Sequence, residues 1–201
     1  MRLVVASGNV HKTAEIRRIL GDVVTFVEDL STHPEIKEIK ETGATFEENA
    51  AIKALEVARV LGDEAWVLSD DSGLEVDALG GAPGVYSARY SGAEASDAGN
   101  RVKLLEQMAE TDVRGLSRSA RFRCVMMLAR GRQKVAMFEG VVEGVIATAE
   151  KGEQGFGYDS LFIPEGAHET FGQFSPEVKN SMSHRGRALA GLKEWLLARG
   201  T

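Results

Sequence analysis

Apolar and polar positions follow two rhythms along this chain, and the switches between them outline its elements. Residues 2–6 read as a short apolar strand and 7–9 as a loop. From His11 to Leu20 the spacing is helical, with Ile16, Ile19 and Leu20 on one face. Residues 23–27 read as a second strand. Thr45, followed three residues on by Glu48, fits a capping box. Behind it Phe46, Ala50, Ala54 and Ala58, with Leu55 and Leu61, form the stripe of a helix that ends before Gly62. Strands are predicted over 65–69 and 74–77.

Residues 80–92, GGAPGVYSARYSG, are glycine-rich with a proline and read as a loop with defined turns. Ser96 and Asp97 would cap a helix running to about Ala109, with Val102, Leu105 and Met108 inward. Residues 120–129 and 134–147 are long extended segments, and Gly131 between them predicts a hairpin. A loop over 155–159, a short strand over 160–163, and a last helix capped by Ser183 and carrying Leu189, Leu192 and Leu196 complete the chain. Helices alternating with strands, then a hairpin, predict an α/β fold with a mixed twisted sheet and flanking helices. No linker interrupts the pattern, so residues 1–201 are expected to form a single domain.

Composition narrows the function classes. A net charge of −6 argues against a long nucleic-acid partner, yet leaves room for a single nucleotide. No apolar run approaches the roughly 20 residues that span a bilayer, and the first apolar run is too short for a signal-peptide core. One cysteine, Cys124, excludes an internal disulfide or a cysteine-based metal cluster, and four scattered histidines lack zinc-ligand spacing. A cytoplasmic protein is expected.

Five segments could carry chemistry. In Ser7-Gly8-Asn9-Val10-His11-Lys12, a strand meets a helix N-terminus with a lysine in the first turn, which suits a phosphate. The same residues also read as an ordinary turn with Asn9 as cap. Glu41 stands before a glycine turn, outside the helix whose dipole accounts for Glu47 and Glu48. Asn49 and Lys53 share a helix face and read as solvated.

In Leu68-Ser69-Asp70-Asp71-Ser72-Gly73 a buried strand runs into two adjacent carboxylates, whose repulsion calls for a compensating charge such as a divalent cation. An Asx-turn that stops the strand is the plainer alternative. Phe156-Gly157-Tyr158-Asp159 offers aromatics and a carboxylate in a loop, suited to a base or to plugging a core. Lys179, His184 and Arg185 surround a helix start, where cations oppose the dipole unless an anion or polar ligand accompanies them.

Taken together, SGNVHK, ETGATFEENAAIKA, LSDDSGLEVDALGGAPGVYSARYSG, FGYDSLF and MSHRGRAL resemble, in order, the inosine/xanthosine triphosphate pyrophosphatases, over roughly Leu3 to Leu197. The resemblance implies an elongated α/β fold of two lobes around a central cleft, a homodimer, and magnesium as cofactor. It implies hydrolysis of ITP, dITP or XTP to the monophosphate and pyrophosphate. Residues Ser7, Gly8, Asn9, Val10, His11 and Lys12 would contact the substrate, with Ser7, Asn9 and Lys12 on the triphosphate. Glu41 and Asp71 would hold Mg2+, and Asp71 would accept the proton of the attacking water. Ser72 would touch the substrate, while Phe156, Gly157, Tyr158, Asp159, Lys179, His184 and Arg185 would form the base pocket. Asp70 is expected to support the metal. The rival readings are a phosphotransferase or an orthophosphate-releasing hydrolase, and a non-catalytic nucleotide-binding module.

Overall fold

Among the described residues of the computed structural model, which are 2–21, 23–24, 26–112 and 117–199, six strands and five helices form. In chain order they are β1 (Arg2–Val5), α1 (Val10–Leu20), β2 (Phe26–Asp29), α2 (Phe46–Leu61), β3 (Trp66–Val76), α3 (Asp97–Asp112), β4 (Ser119–Arg130), β5 (Gln133–Ile146), β6 (Phe162–Pro164), α4 (Pro176–Met182) and α5 (His184–Leu197). The strands form one sheet in the order β2-β1-β3-β4-β5-β6. β1 runs parallel to both β2 and β3, and β5 runs antiparallel to β6, so the sheet is mixed as expected. No described helix is long and apolar enough to cross a membrane.

Local chemistry explains most boundaries. Asn9 caps α1 by accepting from the His11 and Lys12 amides. Thr45 caps α2 by accepting from the Glu48 amide at 3.2 Å, but the Glu48 carboxylate reaches the amide of Ala44 rather than that of Thr45. The capping box is therefore displaced by one residue. Gly62, at φ 72°, ends α2 where a side chain would be strained. Gly131, at φ 58°, turns β4 into β5.

Four expectations change. β3 does not stop at Ser69: it runs unbroken for 11 residues through Asp70, Asp71 and Ser72 and absorbs the strand expected over 74–77. The second strand begins at Phe26, because the Val24 amide still bonds back to Leu20; Thr25 lies outside the described residues. On α3 the buried stripe is Asn100, Leu104, Met108 and Thr111, while Val102 is 52% exposed. Asn100 turns inward because it accepts from the Ser91 amide and donates to the Ser87 and Ala88 carbonyls. Finally, α4 precedes the last helix, with Ser175 as its N-cap and Pro176 in its first turn.

The chain divides into two compact units. One holds the chain up to Asp71, Cys124–Gly140 and the chain from Arg185 on. Its core includes Leu3, Val5, Ile16, Leu20, Leu68, Met126, Leu128, Leu189 and Leu192. The other holds Ser72–Arg123 and Val141–His184. Its core includes Leu74, Leu104, Met108, Leu161 and the aromatic group Phe122, Phe162 and Phe171. Phe122 and Phe162 meet edge to face at 4.7 Å between ring centroids, a favoured aromatic geometry.

Candidate functional site

Successive side chains of a strand point to opposite faces. That is how β3 carries Asp70 and Asp71 next to each other, both buried. Each carboxylate meets its own cations, and the repulsion that raised the question of a metal is relieved by protein groups on both.

Asp70 receives Lys12 Nζ at 2.6 Å on Oδ1 and Arg185 Nε at 2.7 Å on Oδ2. The Cys124 thiol, fully buried, donates to Oδ2 at 3.4 Å. Burial opposes the charge on Asp70, yet Arg185 and Lys12 hold its carboxyl well below the usual range. Arg185 is 1% exposed, and one terminal nitrogen donates to Glu15 Oε2 at 2.5 Å. The cation at the start of α5 therefore has two protein carboxylates as partners.

Asp71 meets Lys53 from α2, whose Nζ donates to Asp71 Oδ1 at 2.6 Å and to the Asp70 carbonyl at 2.9 Å. Glu41 Oε1 lies 2.9 Å from the same ammonium. Lys53 is thus not on a solvated face: it is 8% exposed, and Asn49 beside it is fully buried, accepting from the Gly43 amide at 2.8 Å. That bond ties the loop bearing Glu41 to α2. Burial pushes the Asp71 carboxyl up from its ordinary value, against the pull of Lys53. Lys53 was missed in the sequence, although an ionisable residue three after Ala50 and four before Val57, on the buried face of α2, signals a buried partner.

The donor set fits magnesium. Asp71 Oδ2 is buried with no hydrogen-bond partner among the described residues, and two carboxylates with water and phosphate oxygens are the ordinary ligands of that ion. Among the described residues, no group of three or more His, Cys, Asp or Glu side chains gathers to hold a metal alone. The fit therefore rests on the pair Glu41 and Asp71.

At the start of α1, Ser7 is half-buried and accepts from the Asn9 amide at 3.1 Å, while Gly8, Asn9, Val10 and His11 are exposed. The Asn9 carbonyl side chain is occupied as the helix cap, so only part of this segment's polar inventory faces outward. Ser72 is half-buried in β3.

In the second unit, Asp159 Oδ2 accepts from Lys179 Nζ at 2.6 Å and from the Phe156 amide at 2.8 Å. Lys179 Nζ also lies over the Phe156 ring, 4.9 Å from its centroid. Gly157, at φ 61°, is held by its amide to Asp97 and by its carbonyl to Arg101. Tyr158 is buried, its hydroxyl donating to the Ser87 carbonyl at 2.8 Å, and burial pushes that phenol up. His184 is 4% exposed and stacks on Phe122 at 4.6 Å with rings 10° apart.

The first unit thus holds two carboxylates sharing one ammonium, and the second a lysine-carboxylate pair beside an aromatic ring. A profile of the Ham1 family matches residues 3–195. A dITP/XTP pyrophosphatase of Syntrophobacter fumaroxidans is 48% identical over 98% of this chain and 85% of its own length. One from an Exiguobacterium species is 46% identical over 96% of this chain and 95% of its own. A HAM1 protein structure from Coxiella burnetii superposes with a TM-score of 0.87 at 38% identity, covering 98% of this chain and 99% of that one. The chain belongs to the Ham1 family.

Proposed function

We propose that this protein hydrolyses non-standard purine nucleoside triphosphates (ITP, dITP and XTP) to the monophosphate and pyrophosphate. The observation that carries this reading is the convergence of Glu41 and Asp71 on Lys53, with Asp71 Oδ2 buried and unpartnered. Asp71 accepts the proton of the attacking water, a task suited to a buried carboxylate with one oxygen not held by the protein. Glu41 and Asp71 would hold magnesium, and the ion would supply positive charge beside the phosphates. Lys12 and the α1 N-terminus bind phosphate oxygens.

The base is read by groups that donate. Inosine and xanthosine carry a 6-oxo acceptor where adenosine carries a donor, so His184 and Arg185 favour the first two. A site built to hydrogen-bond one group rejects an analogue by up to about 10⁴-fold. Phe156 supplies an aromatic face, and Lys179 fixes Asp159 beside it. The family resemblance extends the proposal to a homodimer, and the composition to a cytoplasmic location.

The test is to incubate the protein with ITP and magnesium, with ATP and GTP alongside, and to identify the phosphate product. Equal inosine monophosphate and pyrophosphate, with little from ATP or GTP, supports the reading. Orthophosphate with inosine diphosphate moves the chemistry to the γ-phosphate. Binding with no product leaves a nucleotide-binding module.

A further inference from the structure

Within the first unit, four charged side chains from three elements alternate in sign: Lys12 and Glu15 on α1, Asp70 on β3 and Arg185 on α5. Lys12 and Glu15 are three residues apart, which puts them on one face of α1. That face presents an ammonium to Asp70 and a carboxylate to Arg185, and Arg185 bonds Asp70 in turn. The circuit closes across sequence separations of 58, 115 and 170 residues.

Drawing four charges into or beside the core, Asp70 and Arg185 fully, is a poor route to stability, since apolar residues of similar volume often serve as well or better. What such a network provides is position. A guanidinium is a rigid planar fork, and two carboxylates on different edges fix its plane in a way that one lysine-like contact does not. Two of the four residues, Lys12 and Arg185, are those assigned above to the phosphates and to the base.

We propose that Glu15 and Asp70 are positioning residues: they clamp Arg185 from two sides, while Asp70 also fixes Lys12, so one carboxylate sets the phosphate-holding and the base-reading cation together. This inference rests on the function proposed above. It gives Asp70 a role distinct from supporting a metal, and it gives Glu15 a role that no motif in its own stretch of sequence indicates. The expected consequence is that loosening Glu15 costs base discrimination before it costs chemistry, because small displacements of a recognition group weaken binding steeply.

The test compares the wild-type protein, Glu15→Gln, Glu15→Asp, Arg185→Lys and the double variant Glu15→Gln/Arg185→Lys. The Glu15 side chain is 13% exposed where that of Asp70 is fully buried, so Glu15→Gln keeps the fold more readily than a change at Asp70. Steady-state kinetics on ITP and ATP are measured, together with the side-chain Nε–H nitrogen-15 NMR signal of Arg185. Glu15→Gln is expected to raise KM for ITP about tenfold with kcat within about twofold, and to affect ATP less, as loss of one charge-assisted hydrogen bond implies. Glu15→Asp should recover part of the loss, and the Arg185 signal should broaden in Glu15→Gln.

In the double variant, Glu15→Gln should add little to Arg185→Lys, because a lysine cannot span both carboxylates. Additive effects, or equal losses on ITP and ATP with an unchanged Arg185 signal, would overturn the clamp while leaving the enzyme reading intact. A wild-type protein that releases no monophosphate and pyrophosphate from ITP would overturn that reading itself, and the clamp's role with it.

Discussion

Lys53 Nζ lies 2.6 Å from Asp71 Oδ1, with both side chains about nine-tenths buried, and the same ammonium reaches Glu41 at 2.9 Å. One cation of the protein therefore holds together the two carboxylates assigned to magnesium. Removing it should leave the buried Asp71 carboxylate and the half-buried Glu41 carboxylate without the cation they share. Lys53→Met is expected to lose about 3–5 kcal/mol of stability, the usual effect of breaking a buried pair from one side. Added magnesium should restore part of that loss by binding the folded state. Denaturant melts of the variant with and without magnesium check this; a variant indifferent to the ion would count against the Glu41–Asp71 site.

Asp71→Asn keeps the shape of β3 but removes the proposed proton acceptor. Turnover of ITP should fall by about 10²–10⁴-fold, the range for loss of a general base, while nucleotide binding stays measurable by calorimetry. Undiminished turnover would remove Asp71 from the reaction.

Gly155 has φ 77°, and a Cβ built there would come within 2.1 Å of Asp159 Oδ2, the atom that receives Lys179 and the Phe156 amide. Gly166 has φ 80° with open space around it. Gly166→Ala should therefore lose only the backbone strain of about 1–2 kcal/mol. Gly155→Ala should lose clearly more, and should also narrow the preference for ITP over ATP by shifting Asp159. Thermal melts and kcat/KM on both substrates, run on the two variants in parallel, separate contact from strain.

The Arg2 hydrogen bonds hold Glu28 down to about 2 from an ordinary 4.5, with the His33 ring, 2.8 Å away, assisting. The folded value lies below the unfolded one. Glu28 thus contributes its full stabilisation above about pH 4.5 and loses it as the pH falls toward 2. Arg2→Ala should move the Glu28 carboxyl titration back toward 4.5 and make acid unfolding begin at higher pH. Carbon-13 NMR of the carboxylates follows the first effect and circular dichroism the second.

Much of the fold was legible residue by residue. The α1 and α2 boundaries, the stripe of the last helix, and the turn at Gly131 all followed from effects that act within four residues: caps, dipoles and periodicity. Where a local rule met a long-range one, the local rule failed. Val102 read as inward because it is apolar, but Asn100, two residues earlier, takes the buried stripe through bonds to Ser87, Ala88 and Ser91. Asp70 and Asp71 read as a strand end because adjacent carboxylates disfavour burial, yet β3 continues through them.

By itself, the sequence determined which residue types were available for chemistry and roughly which element each would stand on, because those choices are local. It set the Asp70-Asp71 doublet directly after a buried run and left Glu41 unexplained by its helix. The tertiary structure alone decided who compensates whom. Asp71 is answered by Lys53, 18 positions away, and Asp70 by Lys12 and Arg185, 58 and 115 away. Charge pairing is set by which side chains share a buried space, and that follows from the packing of α1, α2 and α5 on β3, not from spacing along the chain.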